Sequence, residues 1–142
     1  MPGSSSRAAI LNPFPIISSI ENQYKTGKIK EEIFIRRSIS ALYFALFNYW
    51  SAKKYDNGEQ GEGLCKDRWP LSEFTSEMLQ KGLDPQIYFL EAYRVAVDHY
   101  TLNPTIAYLY FFHMNQRTSI NKISLKRAIE CAKDLYKEIQ NL

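Results

Sequence analysis

Residues 33 to 50, which read IFIRRSISALYFALFNYW, form the densest apolar segment of the chain and decide its fold. Apolar side chains recur here with helical spacing, which predicts a buried helix. They are Ile35, Ile39, Leu42, Leu46 and Tyr49. A second apolar face beside the first consists of Tyr43, Phe44, Phe47 and Trp50. Because contiguous exposed apolar surface usually marks an interaction site, we expect one face to contact the rest of the domain and the other a second copy of the chain.

The composition is that of one globular domain. The chain has 142 residues, of which 45% are hydrophobic and 23% charged, and this length suffices to fold without disulfides. We expect residues 1–12, with their Ser and Gly content, to be a flexible leader or expression remnant, and residues 13–142 to be a single helical domain. The net charge of +3, from 18 basic and 15 acidic residues, is compatible with an anionic partner but does not require one.

The cysteines and the N-terminus favour a cytoplasmic protein. Cys65 and Cys131 are too few for a disulfide framework and match no metal-site spacing, so we expect free thiols, with no metal and no cofactor. The first residues lack the apolar run of a secretory signal. Arg36 and Arg37 interrupt an apolar segment already shorter than the roughly 20 residues of a membrane span, which argues against a membrane protein.

Proline, glycine and capping residues divide the chain into helices. They are expected between Pro15 and Gly27, from about 28–30 to about Tyr55, from Pro70 to Lys81, from Asp84 to a break at Asn103-Pro104, and from a cap at Ser124 to the end. Because most of the turns are short, we predict an all-α, up-and-down antiparallel bundle of four to five helices.

Two segments fall outside this pattern. Residues 56–69 are rich in Gly and polar groups, which predicts a loop of about 14 residues, near the length at which a loop is often functional. Residues 105–113 are β-rich by propensity, yet we find no second strand for them in the sequence. We therefore expect an extended or short helical lid there.

Two motifs together resemble those of HEPN domains. Residues 37–47, RSISALYFALF, resemble the Ser-x-Ala-Tyr-Tyr-Ala-x-Phe signature of the second helix of that family. Residues 94–100, RVAVDHY, resemble its Arg-x4-6-His motif, and the closing helix fits the last helix of the family. The resemblance covers about residues 14–142. It implies a helical bundle that forms a homodimer, with the motifs of two copies at a shared cleft.

The resemblance also implies an activity. Many such domains are metal-independent endoribonucleases of toxin, antiviral or RNA-processing systems, in which case Arg94 and His99 would be the catalytic pair here. Cleavage of single-stranded RNA without a metal needs proton transfer and positive charge at the phosphate. Imidazole titrates near neutrality, and a guanidinium holds two phosphate oxygens at once. Asp98 would orient His99 or simply pair with Arg94 on the same helix face.

Other members of the family are non-catalytic, and departures from the motif favour that alternative. Val95 stands where many catalytic members carry a polar residue. The segment is also similar to an Arg-x-x-Ala-Asp-Tyr variant, in which case Val97 replaces the Ala and His99 the Tyr. A further variant ends His-x-Tyr, and Thr101 stands at the Tyr position here. The alternative is a nucleotide-binding or partner module that acts with a minimal nucleotidyltransferase. A purely structural dimerisation domain is a third. Geometry matters too, because Arg94 and His99 on a continuous helix point about 140° apart. They converge only if the helix loosens near Asp98 or a second subunit supplies one of them.

Aromatic and basic residues near these motifs are candidates for contacts with a second subunit or with RNA. They are Tyr43, Phe47, Trp50, Tyr100, Arg36 and Arg37. Single-stranded RNA stacks on exposed rings, although such rings more often belong to a core or an interface. His113 lies between aromatic neighbours, and we expect it to be structural.

Overall fold

The computed structural model describes residues 7–61, 69–99, 106–111 and 114–142. Its elements are α1 (Arg7–Ile10), α2 (Pro15–Lys25), α3 (Glu31–Asp56), α4 (Leu71–Gln80), α5 (Asp84–His99), β1 (Ile106–Phe111), β2 (Met114–Ser119) and α6 (Lys122–Gln140). The helical bundle predicted from the sequence is confirmed. A two-stranded hairpin is added to it.

Helix α3 is the centre of the bundle. It packs against α1, α2, α5 and α6, which surround it. Ile39, Leu42 and Leu46 are fully buried, as their spacing predicts. Burial of each such side chain stabilises the fold by about 1.5 to 3 kcal/mol relative to exposure. Residues 33–50 therefore contribute the centre of the hydrophobic core.

The second apolar face of α3 is covered mainly by α4 of the same chain. The ring centroid of Phe74 on α4 lies 6.1 Å from that of Tyr43, 5.9 Å from that of Phe47 and 5.3 Å from that of Trp50. Tyr43 and Trp50 are fully buried, so their prediction as surface contacts for a partner or RNA is wrong. Phe44 alone on this face stays open, at 37% exposure.

Helix ends follow local chemistry. Gly27 and Gly82 have φ of 75° and 77°, a conformation that glycine adopts without strain, just after α2 and α4. At α6 the prediction of Ser124 as the capping residue is wrong by three positions. Asn121 is the N-cap, and its side chain accepts hydrogen bonds from the backbone N–H groups of Ile123 and Ser124. Ser124 completes a capping box from the first turn.

Residues 106–111 have a partner strand, contrary to the sequence prediction. β1 pairs antiparallel with β2, in a register from Ile106 opposite Ser119 to Phe111 opposite Met114. The backbone of β1 also contacts α5. The partner was missed because β2 reads MNQRTS, a polar stretch with little strand propensity.

The packed part of the chain begins earlier than residue 13. The backbone N–H of Arg7 donates to Asp56 Oδ1 at 3.0 Å, and that of Ala8 donates to Oδ2 at 3.1 Å. Ala8 is buried. Residues 7–12, expected in the leader, thus belong to the domain.

No helix within the described ranges combines the length and apolarity that a bilayer crossing requires.

Candidate functional site

Helix α5 carries all three residues of the predicted catalytic motif. It runs without interruption from Asp84 to His99, so the helix does not loosen near Asp98. Five residues of α-helix rotate a side chain by about 500°, which leaves Arg94 and His99 about 140° apart. Within one chain the two side chains therefore leave the helix in different directions.

Arg94 is held against aromatic rings of α3. Its guanidinium carbon lies 5.1 Å from the ring centroid of Tyr43 and 5.4 Å from that of Phe44, within the range of cation–π attraction. Its Nε is buried and has no hydrogen-bond partner among the residues that the structure describes. Among the described residues, no carboxylate lies within ion-pair distance of this guanidinium. Arg94 is thus half-buried and held against two rings, and it forms no ion pair with a carboxylate of the described residues.

A polar group lies beside this arginine. Thr75 of α4 donates its hydroxyl to Glu91 Oε2 at 3.0 Å, one turn before Arg94 on α5. Burial, and then the negative charge of Glu91, raise the pKa of Tyr43 to about 12, so this phenol stays protonated near neutral pH.

Asp98 contacts α3 rather than either motif partner. Ser40 donates its hydroxyl to Asp98 Oδ2 at 3.3 Å. No ion pair joins Asp98 to Arg94, although the two are one turn apart. Asp98 is exposed, and it borders a groove of about 450 Å³ between α2, α3 and α5.

Arg36 and Arg37 border the same groove but differ in role. Arg36 is buried, with Nη1 donating to the carbonyl of Val97 at 3.0 Å and Nε donating to Glu32 Oε2 at 3.0 Å. It therefore binds the negative C-terminal end of α5, which stabilises that helix. Arg36 is therefore not an exposed contact for a second subunit or RNA, contrary to the prediction from the sequence. Arg37 is exposed and remains a candidate for contact with an anion.

His99 is the last residue of α5 and is exposed. Within the described residues it makes no hydrogen bond or ion pair. Phe47 is half-buried beside Phe74.

Some predictions concern residues outside the described part of the chain, namely Cys65, Tyr100, Thr101 and His113. The loop prediction for residues 56–69 lies partly outside it.

Sequence reasoning missed the polar neighbours of Arg94 and Asp98. The position of Glu91 near Arg94 could have been predicted from the sequence, because residues three positions apart lie on the same face of a helix. Thr75 and Ser40 come from other helices, 16 and 58 positions from their partners, and no local spacing marks them.

The described part of the chain holds no cluster of three or more His, Cys, Asp or Glu side chains arranged for a metal ion. Cys131 is a free, half-buried cysteine, and burial, followed by the charge of Asp134, raises the pKa of its thiol. It is therefore a poor nucleophile at neutral pH.

Comparison of the chain with family models, with curated proteins and with solved structures gave no match in any of the three. The likeness to HEPN domains therefore depends on the two motifs and the closing helix described from the sequence.

Proposed function

We propose that the protein is a HEPN-type, metal-independent endoribonuclease that acts as a homodimer on single-stranded RNA, as a toxin or defence component. The observation that carries the proposal is the state of Arg94. Its guanidinium is positioned by two aromatic rings and forms no ion pair with a carboxylate of the described residues. Such a group is suited to bind a phosphate through two parallel hydrogen bonds.

In the proposed reaction His99 is the general base and takes the proton of the 2′-hydroxyl. The 2′-oxygen then forms a bond to phosphorus, the bond from phosphorus to the 5′-oxygen breaks, and the 5′-oxygen leaves with a proton from water. Arg94 stabilises the charge that builds on the phosphate oxygens. His99 is exposed, which suits contact with a substrate.

The direction of the two side chains makes the second subunit necessary to this mechanism. Since Arg94 and His99 of one chain point about 140° apart, we propose that each site combines Arg94 of one subunit with His99 of the other. Phe44, partly exposed and in contact with Arg94, would then lie at the interface.

The test is cleavage of a fluorescent single-stranded RNA in EDTA. We expect His99→Gln and Arg94→Lys each to lower the rate by about 10² to 10⁴. Arg127→Lys is the matched control, because the Arg127 guanidinium carbon also lies over a ring, 4.6 Å from the centroid of Phe89, but on α6. Equal rates for wild type and His99→Gln would discard His99 as a catalytic residue.

A subunit-mixing experiment tests the shared site. When equal amounts of His99→Gln and Arg94→Lys dimers exchange subunits, half of the resulting dimers contain one subunit of each kind. In such a dimer one site has both residues intact and the other site has both replaced. We expect recovery of about a quarter of the wild-type rate. No recovery, with subunit exchange demonstrated, would mean that each site uses both residues of one chain.

The second candidate is a non-catalytic partner or nucleotide-binding module that acts with a minimal nucleotidyltransferase. One observation favours it: His99 has no hydrogen-bond partner among the described residues to fix its tautomer, as a catalytic imidazole usually has. A small nucleotidyltransferase encoded next to this protein, and co-elution of the two on gel filtration, would support it. Growth arrest on expression of the chain alone, abolished by His99→Gln, would support the nuclease.

A further inference from the structure

A groove between α2 and α6 lies apart from the proposed nuclease site. It has a volume of about 380 Å³ and shares none of its lining residues with the surroundings of Arg94. Its apolar lining consists of Tyr24, Phe34, Leu125 and Ile129. Phe34 and Leu125 are each 5% exposed, so they form the floor, whereas Tyr24 and Ile129 are half-buried at the sides.

Lysines dominate the edges of the groove. Lys25, Lys122, Lys126 and Lys133 line it against two carboxylates, Glu21 and Glu130, which leaves an excess of two positive charges. On α6, successive lysines are four, seven and four residues apart, which places them on one side of the helix over about 22 Å. We call these residues, Lys122, Lys126, Lys133 and Lys137, the α6 lysine stripe.

Most lysines of the α6 lysine stripe form no ion pair with the described residues. Lys122 pairs with Glu31 at 3.2 Å, and across the groove Lys25 pairs with Glu21 at 3.3 Å. Lys126, Lys133 and Lys137 are exposed and have no carboxylate of the described residues within ion-pair distance. A row of free cations beside an apolar floor is complementary to a ligand that carries both carboxylates and an aliphatic group.

The aromatic residues of the groove argue against a nucleic-acid base. The rings of Tyr24 and Phe34 stack on each other, with centroids 4.8 Å apart and planes 1° from parallel. The ammonium of Lys122 lies over the Tyr24 ring, 5.5 Å from its centroid. The Tyr24 ring is thus already occupied by its own neighbours, whereas base recognition on single strands needs a free aromatic face. Contact with an aliphatic side chain needs only the apolar floor.

We propose that the α2–α6 groove binds an acidic peptide segment of a partner protein, with an aliphatic side chain on the apolar floor and carboxylates along the α6 lysine stripe. The proposal is independent of the nuclease assignment. It requires only this groove and its charges.

Binding is measured by fluorescence anisotropy of a fluorescein-labelled peptide of Glu-Glu-Leu repeats with the full chain. We expect Lys126→Glu combined with Lys133→Glu to weaken binding about tenfold or more. Lys28→Glu combined with Lys81→Glu is the matched control, since it makes the same charge change at exposed lysines outside the groove lining. Equal weakening by both pairs would indicate nonspecific charge attraction and overturn the proposal.

The apolar part is tested with the wild-type protein, so that no variant has to fold. We expect a peptide with Gly in place of each Leu to bind at least about tenfold more weakly than the Glu-Glu-Leu peptide. Equal binding of the two peptides would contradict a specific groove. Tighter binding of labelled oligouridylate, lost in the Lys126→Glu/Lys133→Glu protein, would assign the stripe to nucleic acid instead.

Discussion

Trp50 and Lys54 of α3, Glu59 just beyond it and Glu77 of α4 form a partly buried polar network that the sequence pattern does not predict. Trp50 Nε1 donates to Glu77 Oε2 at 2.8 Å, and Lys54 Nζ lies 2.8 Å from Glu77 Oε1 and 3.0 Å from Glu59 Oε1. Burial opposes the charge of Glu77, but hydrogen bonds from Lys54 and Trp50 outweigh it and lower the pKa of Glu77. Glu77 therefore joins α4 to α3 as an ionised group.

We predict that Glu77→Gln lowers the free energy of unfolding by about 1 to 3 kcal/mol at pH 7. A carboxyl with a lowered folded-state pKa stabilises above its ordinary pKa, and this contribution disappears as the pH falls through the folded value. The difference between wild type and Glu77→Gln should therefore shrink in acid, as measured by urea unfolding across pH. Glu73→Gln, an exposed change on the same helix, is the control. A difference independent of pH would contradict this account of the Glu77 charge.

At the residue scale, the sequence predicted which side chains of one helix are buried but not which side chains of different helices contact each other. The spacing of Ile39, Leu42 and Leu46 announces their burial. In contrast, Trp50 donates a hydrogen bond to Glu77, which is 27 positions further along the chain, and Arg94 lies over rings of another helix. Such contacts depend on which helices become neighbours, which the spacing within each helix does not specify.

At the scale of elements, boundaries were predictable to the extent that they depend on local chemistry. Helix α5 begins at Asp84, where the Asp-Pro pair predicted a start. The start of α6 was misplaced because Asn121 and Ser124 act together, and the sequence contains both. The hairpin was missed because β2 pairs through its backbone, whose hydrogen bonds leave no mark on side-chain composition.

We predict that Asn121→Ala lowers the free energy of unfolding by about 0.5 to 2 kcal/mol, since the first N–H groups of α6 lose their acceptor. Urea unfolding followed by far-UV circular dichroism measures this. Asn141→Ala, at the other end of α6, is the control, because Asn141 caps through its backbone only. An equal loss in both variants would argue against the capping box as the source of stability.

At the scale of the whole molecule, the surface of α3 bears on the proposed dimer. Helix α4 covers most of the second apolar face, so a partner is not needed to bury it. The exposed apolar residues that remain on α3 are Ile33, Phe44 and Tyr55. Eleven-residue spacing places these three on one side of the helix, where they are the large apolar residues of α3 left exposed for the proposed dimer.

We predict that Phe44→Ser converts a dimer to a monomer in sedimentation velocity and abolishes RNA cleavage, because Phe44 is exposed beside Arg94. Ile123→Ser, which removes a more exposed apolar residue from α6, should leave mass and activity unchanged. Thermal unfolding of both variants checks that the fold persists. A wild type that sediments as a monomer at every concentration would remove the shared-site mechanism.

The two hydrogen bonds from Arg7 and Ala8 to Asp56 link positions 49 and 48 residues apart. During synthesis the ribosome delivers α1 long before the carboxylate that it needs, so this first turn stays without its acceptor until the whole of α3 has emerged. The contact can therefore form only after the last residue of the central helix has been synthesised.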